Sequence, residues 1–162
     1  MSPSRLTTGD VGAWLLKSAT LPPAAPGGWE PGTTRRLHRC VRPTYRLSLM
    51  APGQPCLLWL SGRADPGVQA VGTVVAAPRL DEEGRDSVEV ELRRLRRGVP
   101  RADLVDDPAF RDAEVVRMAA GSNPSYVTPA QLAAVVELLG EEAGALAPPR
   151  AARAGRGRAR SG

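Results

Sequence analysis

The chain of 162 residues is about one domain long on the usual range of roughly 100–200 residues per domain, so a multidomain enzyme is not expected. An apolar fraction of 42% and a charged fraction of 24% suit a globular protein and exclude a wholly disordered chain. The formal net charge of +5 invites a nucleic-acid partner, provided the charge lies on the folded body rather than on an appendage.

In chain order, residues 12–17 form a short apolar run bounded by polar residues, which reads as a buried strand. Residues 19–34 are rich in Pro and Gly and read as loop, with Trp29 in their midst needing a place to bury its ring. Residues 38–50, interrupted by Pro43, fit either a short helix or an irregular strand. Residues 56–60 are apolar on both sides and read as a central strand. The Asp65-Pro66-Gly67 turn and the valines of residues 68–77 then complete an antiparallel hairpin. Strict alternation over residues 87–92 places Val88, Val90 and Leu92 on one face of a half-buried strand. The run Arg93, Arg94, Arg96 and Arg97 follows, as a phosphate contact or as a solvated strand end. Residues 102–118 suggest two short helical turns around Pro108, with Leu104, Phe110, Val115 and Val116 pointing inward. The clearest helix is 129–139, with Thr128 and Gln131 as a capping box, Pro129 in the first turn and Gly140 at the end. Its apolar stripe is Leu132, Val135, Val136 and Leu139.

The charge is unevenly spread. Residues 143–162 hold five arginines and no acid, and with their Pro, Gly and Ala content they read as a disordered tail beyond a body of residues 1–142. Within the body, residues 1–63 carry eight basic and two acidic groups, and residues 64–142 carry nine and fifteen. Either one face of the fold is basic enough to meet a phosphate backbone, or the halves interleave and neutralise one another. Lys17 is the single lysine among 22 basic residues, so a compact ammonium at that position suggests a task that a planar guanidinium cannot perform.

No apolar run approaches the roughly 18 residues of a membrane span. The first seventeen residues, which include Arg5 and Asp10, do not read as a secretory signal. A cytoplasmic protein without a membrane partner is expected, with Cys40 and Cys56 as free thiols. The chain has no Gly-rich phosphate loop, nucleophile elbow or HExxH, and His38, Cys40 and Cys56 lack paired ligand spacing. No cofactor, metal or catalytic residue is therefore assigned.

The order of the motifs is informative. Trp14-Leu15-Leu16-Lys17-Ser18 resembles the W-x-x-K-S opening of the EVE domain, a member of the PUA-like superfamily that also includes the YTH and ASCH domains. Cys40-Val41-Arg42-Pro43 resembles the family's G-V-R-N segment, Pro52-Gly53-Gln54 its V-G-D turn, and Trp59-Leu60-Ser61 its Y-H-S strand end. Residues 67–75 are similar to the G-I-x-G-I-x-E-V-V strand. Val99-Pro100, Leu104, Asp107-Pro108, Val116-Arg117 and residues 122–128 follow the closing pattern, so the likeness covers residues 10–140. Pro43, Leu60 and Gln54 depart from the usual Asn, His and Asp, and Asn123-Pro124-Ser125-Tyr126 rewrites the closing loop, which bears on ligand choice more than on fold.

The resemblance implies an α+β fold, a PUA-like partly open β-barrel with peripheral helices and a pocket at one rim. It implies a noncatalytic reader of a modified nucleobase, flipped from DNA or presented by RNA. The expected ligand-binding set comprises Trp14, Lys17, Ser18, Trp29, Arg42, Tyr45, Trp59, Ser61, Ser122, Asn123 and Ser125. Trp59 would stack the base beside Ser61, two residues along the same strand face, with Trp29 or Tyr45 as the opposing wall. The strand is expected to break at Lys17, freeing Ser18 for the ligand, while Ser122, Asn123 and Ser125 close the other side. A second implication, from ASCH-type relatives, is a small amidohydrolase acting on acylated cytidines through Lys17 and a neighbouring hydroxyl, which requires a lowered lysine pKa and a carboxylate in reach. A protein-interaction module is the third reading.

Overall fold

The computed structural model describes residues 5–22 and 28–147. The two most apolar segments become neighbours: β1 (Ala13–Ser18) and β3 (Pro55–Leu60) pair in parallel, with Trp14 opposite Cys56 and Lys17 opposite Trp59. β4 (Gly67–Leu80) pairs antiparallel with β3 and with β5 (Asp86–Pro100). β2 (Thr34–Cys40) adds to β5, and β6 (Ser125–Val127) adds to β1, both antiparallel. The sheet order is β2-β5-β4-β3-β1-β6. Among the described residues, four α-helices accompany it: α1 (Arg101–Val105), α2 (Pro108–Arg111), α3 (Glu114–Arg117) and α4 (Pro129–Leu139).

Because side chains alternate across a strand, a segment apolar at every position must be covered on both faces. Ala13, Leu15, Leu57 and Trp59 face one core, shared with Leu104, Phe110, Val115 and Val135 of the helices. Trp14, Leu16, Cys56 and Leu58 face a second core with Met50, Val74, Val88, Val90 and Leu92. β5 serves both, since Leu95 and Val99 join the helix-side core. Alternation alone puts odd-numbered Leu95 and Val99 on the face of β5 opposite Val88, Val90 and Leu92; it is β4 that changes face, at the irregularity between Val68, in the helix-side core, and Ala70, in the second core. At Gly72 the strands approach so closely that a Cβ would lie 1.8 Å from the Glu91 carbonyl oxygen, so no other residue fits without moving backbone.

The fold is α+β, with a mixed six-stranded sheet that curves over the second core without closing into a barrel among the described residues. Its edges are bridged at one point, where the Arg42 N–H, just beyond β2, donates to the Asn123 carbonyl, just before β6, at 2.9 Å.

Several sequence expectations need correction. β1 does not break at Lys17 but runs through Ser18, because the parallel ladder to β3 continues to Leu60. The ambiguous stretch 38–50 divides into the end of β2 and a 3-10 turn at Tyr45–Leu49. The arginine run is not a strand end; β5 continues to Pro100, and Arg94 donates to the Trp29 carbonyl, pinning that loop. Helix α4 has the expected bounds and capping box, but its buried face is Gln131, Ala134, Val135 and Leu139, with Val136 exposed. Residues 140–146 form another 3-10 turn that buries Leu146, so the fold extends past residue 142; the rest of the tail, residues 148–162, lies outside the described residues. The charged halves interleave where Arg36 meets Glu89 and Glu91, and where Arg46 meets Glu114.

The three tryptophans are core residues. Trp14 is fully buried, its Nε1–H donating to Gln54 Oε1 at 2.7 Å. Trp29 is buried and donates to the Thr33 carbonyl. Trp59, 3% exposed, stacks on Phe110 with ring centroids 6.1 Å apart. They are not pocket walls, because their strand and loop positions turn the rings into the two cores and none of them lines the cleft described below. Trp59→Ala is expected to cost about 3–5 kcal/mol of stability, read by urea denaturation, as for other buried aromatic truncations.

Candidate functional site

The point where the sheet edges meet also holds the chain's single lysine. Asn123 lies opposite Lys17 and pairs with its backbone as an added strand would: Oδ1 accepts from the Lys17 N–H at 2.7 Å, and Nδ2 donates to the Lys17 carbonyl at 3.0 Å. With its own carbonyl bound to Arg42, Asn123 ties together β1, the segment after β2 and the loop before β6. The Asn123–Pro124 peptide is cis.

This junction borders a solvent-open cleft of 510 Å³, within the roughly 300–1,000 Å³ typical of small-ligand sites. Lys17, Ser18, Arg42, Ser61, Ser122 and Asn123, six of the expected set, line it together, with Cys40, Val41 and residues 119–121. Their polar atoms are not equally free. Both ends of the Asn123 amide are committed to backbone. Ser18 Oγ donates to the Thr20 carbonyl, and Ser61 Oγ to the Ser18 carbonyl at 3.4 Å. Arg42 and Ser122 are exposed, and neither makes a side-chain hydrogen bond among the described residues.

Lys17 Nζ donates two long bonds, 3.4 Å each, to the Met118 and Ala119 carbonyls. Burial pushes its pKa below the ordinary lysine value, the nearby Glu114 carboxylate opposes that shift, and the Arg46 charge adds to it. Glu114, at the start of α3, receives a two-pronged ion pair from Arg46 at 2.7 and 2.8 Å and a bond from Ser125 Oγ at 2.8 Å. Burial works against its charge, but the Arg46 and Ser125 bonds outweigh it and hold the carboxyl below the usual range.

Ser125 is thus buried and engaged by Glu114, away from the cleft. Tyr45 lines an adjoining cavity of 370 Å³ that shares Gly121, Ser122 and Asn123 with the cleft; its hydroxyl accepts from the Leu6 N–H, and Arg5 lies over its ring. Among the described residues, no aromatic ring lines the cleft itself. Sequence reasoning missed Arg46 and Glu114. Glu114 left a faint trace as an acid set directly before the inward-facing Val115; Arg46 left none.

No family model and no curated protein sequence matches the chain. Solved structures do. Rpa0253 from Rhodopseudomonas palustris is similar at a TM-score of 0.56 and 15% identity, over 80% of this chain and 93% of that one. The DUF55 domain of human thymocyte nuclear protein 1 is similar at a TM-score of 0.53 and 15% identity, over 80% and 99%. These likenesses establish a shared fold. Human THYN1 in complex with 5-methylcytosine-containing DNA superposes more loosely, at a TM-score of 0.47 and 16% identity over 77% and 96%, too loosely to transfer any contact. Among the described residues, no helix is long and apolar enough to cross a membrane.

The Glu114 site has a pH signature. A carboxyl whose folded pKa is depressed adds stability above its unfolded value, here 4.5, and loses it as pH falls through the folded value. Thermal midpoints of the parent should therefore fall below that pH, and Glu114→Gln should be less stable at neutral pH with a flatter acid limb.

Proposed function

We propose that the chain is a noncatalytic reader that binds a modified nucleobase of DNA or RNA in the cleft beside Lys17. The observation that carries this reading is the cleft itself: an open cavity with two cations, Lys17 and Arg42, in its lining, whose walls are fixed by backbone-directed bonds from Asn123, Ser18 and Ser61. Walls held this way are preorganised, so little ordering cost falls on binding. The shared fold with a DUF55 domain and the sequence resemblance to EVE domains are consistent with it.

With the indoles in the cores, the planar surface for the base is the Arg42 guanidinium, since unstacked bases pack on Arg planes as well as on aromatic rings. The Ser122 hydroxyl and Lys17 Nζ then supply the edge contacts. Binding by the full chain can be measured by anisotropy with labelled oligonucleotides carrying 5-methylcytosine, N6-methyladenine or only plain bases, at one fixed salt concentration. The expected result is a preference for one modified oligonucleotide that Arg42→Ala weakens by about 1–3 kcal/mol, the range for loss of a base-stacking partner. Equal affinity for every oligonucleotide would overturn the reading.

One observation favours a second reading. Burial lowers the Lys17 pKa beside a carboxylate, the environment that an amidohydrolase lysine requires. The carboxylate is Glu114. Glu114 is already occupied by three donors, however, and is poorly placed to accept a substrate proton. Incubation with N4-acetylcytidine should accordingly show no turnover by the parent; hydrolysis that disappears in Lys17→Arg would replace the reader with an enzyme.

A further inference from the structure

Met118 is 55% exposed, yet its backbone is held on every side. Its N–H donates to the Glu114 carbonyl at 2.7 Å, and its carbonyl accepts from the Gly121 N–H at 2.9 Å and from Lys17 Nζ. A tied-down backbone carrying a bare thioether side chain is a rigid mount for an apolar probe. Among the described residues, the other large exposed apolar side chains are Leu80 at the end of β4, Val136 and Leu138 on α4, and Tyr45, which borders the same 370 Å³ cavity as Met118 but has Arg5 over its ring. Met118 lines the 370 Å³ cavity, and the loop that follows it, residues 119–123, lines the 510 Å³ cleft. Ala119, Ala120 and Gly121 carry no bulk that would keep a nucleic-acid backbone away. Arg117, the last residue of α3, is exposed and places a cation next to Met118, its Nε–H donating to the Asp112 carbonyl at 2.9 Å.

From this placement we infer that Met118 is a wedge that enters the base stack of a duplex at the step vacated by the base held in the cleft. The inference rests on the reading of the cleft as a base pocket. Extruding a base leaves its neighbours unstacked, at a cost of a few kcal/mol, and proteins that open a step commonly fill it with an apolar side chain, Met among them. An unbranched, polarisable thioether adapts to an irregular gap.

The test uses the full chain and one strand containing a single copy of whichever modified base the chain prefers, 5-methylcytosine or N6-methyladenine, with 2-aminopurine as its neighbour, presented both as a duplex and unpaired. Met118→Ala is expected to weaken duplex binding about tenfold, to alter the 2-aminopurine signal of the bound duplex, and to leave single-strand binding at the parental level. Met118→Leu should restore duplex binding. Parental affinity of Met118→Ala for both forms would overturn the wedge while leaving the cleft reading intact, as would a parent that binds only the single strand. A parent that binds neither form would overturn the cleft reading and the wedge with it.

Discussion

The fold and the site depend on one side chain used as if it were backbone. Asn123 offers an acceptor and a donor to the Lys17 peptide at 2.7 and 3.0 Å, and its own carbonyl takes the Arg42 N–H. Buried backbone polar groups at the edge of a curved sheet need partners, and here a three-residue edge strand is too short to supply them all. The amide extends β6 by one rung, and that rung joins the two margins of the sheet. The cleft borders this junction, with Lys17, Arg42 and Asn123 all in its lining.

Around that junction the charges fall into two classes. Arg46 and Glu114 are locked together behind the loop and hold its inner side, with Ser125 as a third member. Lys17 and Arg42 face the cleft. The pairs between exposed Arg36 and its glutamates on β5 add little stability, as expected for surface ion pairs; it is the β2–β5 strand pairing that sets basic and acidic residues of the two halves side by side. A net charge near the cleft is therefore local, set by a few side chains rather than by a basic hemisphere.

Much of the architecture was legible in the sequence because it follows from periodicity and caps. The apolar runs at residues 12–17 and 56–60 and the alternation at residues 87–92 each became strands, and α4 begins and ends where Thr128 and Gly140 direct. Six residues of the expected set line one cleft. The tryptophans misled because composition does not tell which of two cores a ring enters: Trp14 and Trp59 sit at opposite parity in neighbouring strands and are consumed by different faces. Asn123 was expected to touch a ligand, since a side-chain amide that completes a ladder looks in sequence like any polar loop residue. The pairing of Arg46 with Glu114 joins positions 68 residues apart and has no local signature.

The passage of β5 from one core to the other has a consequence for how the molecule comes apart. Val88, Val90 and Leu92 anchor its first half beneath the curved sheet, and Leu95 and Val99 anchor the second half under the helices. Neither hydrophobic cluster can loosen without dragging on a strand that the other also owns. The protein is therefore built to melt as a single cooperative unit, with amide protection in the two halves of that strand rising and collapsing together.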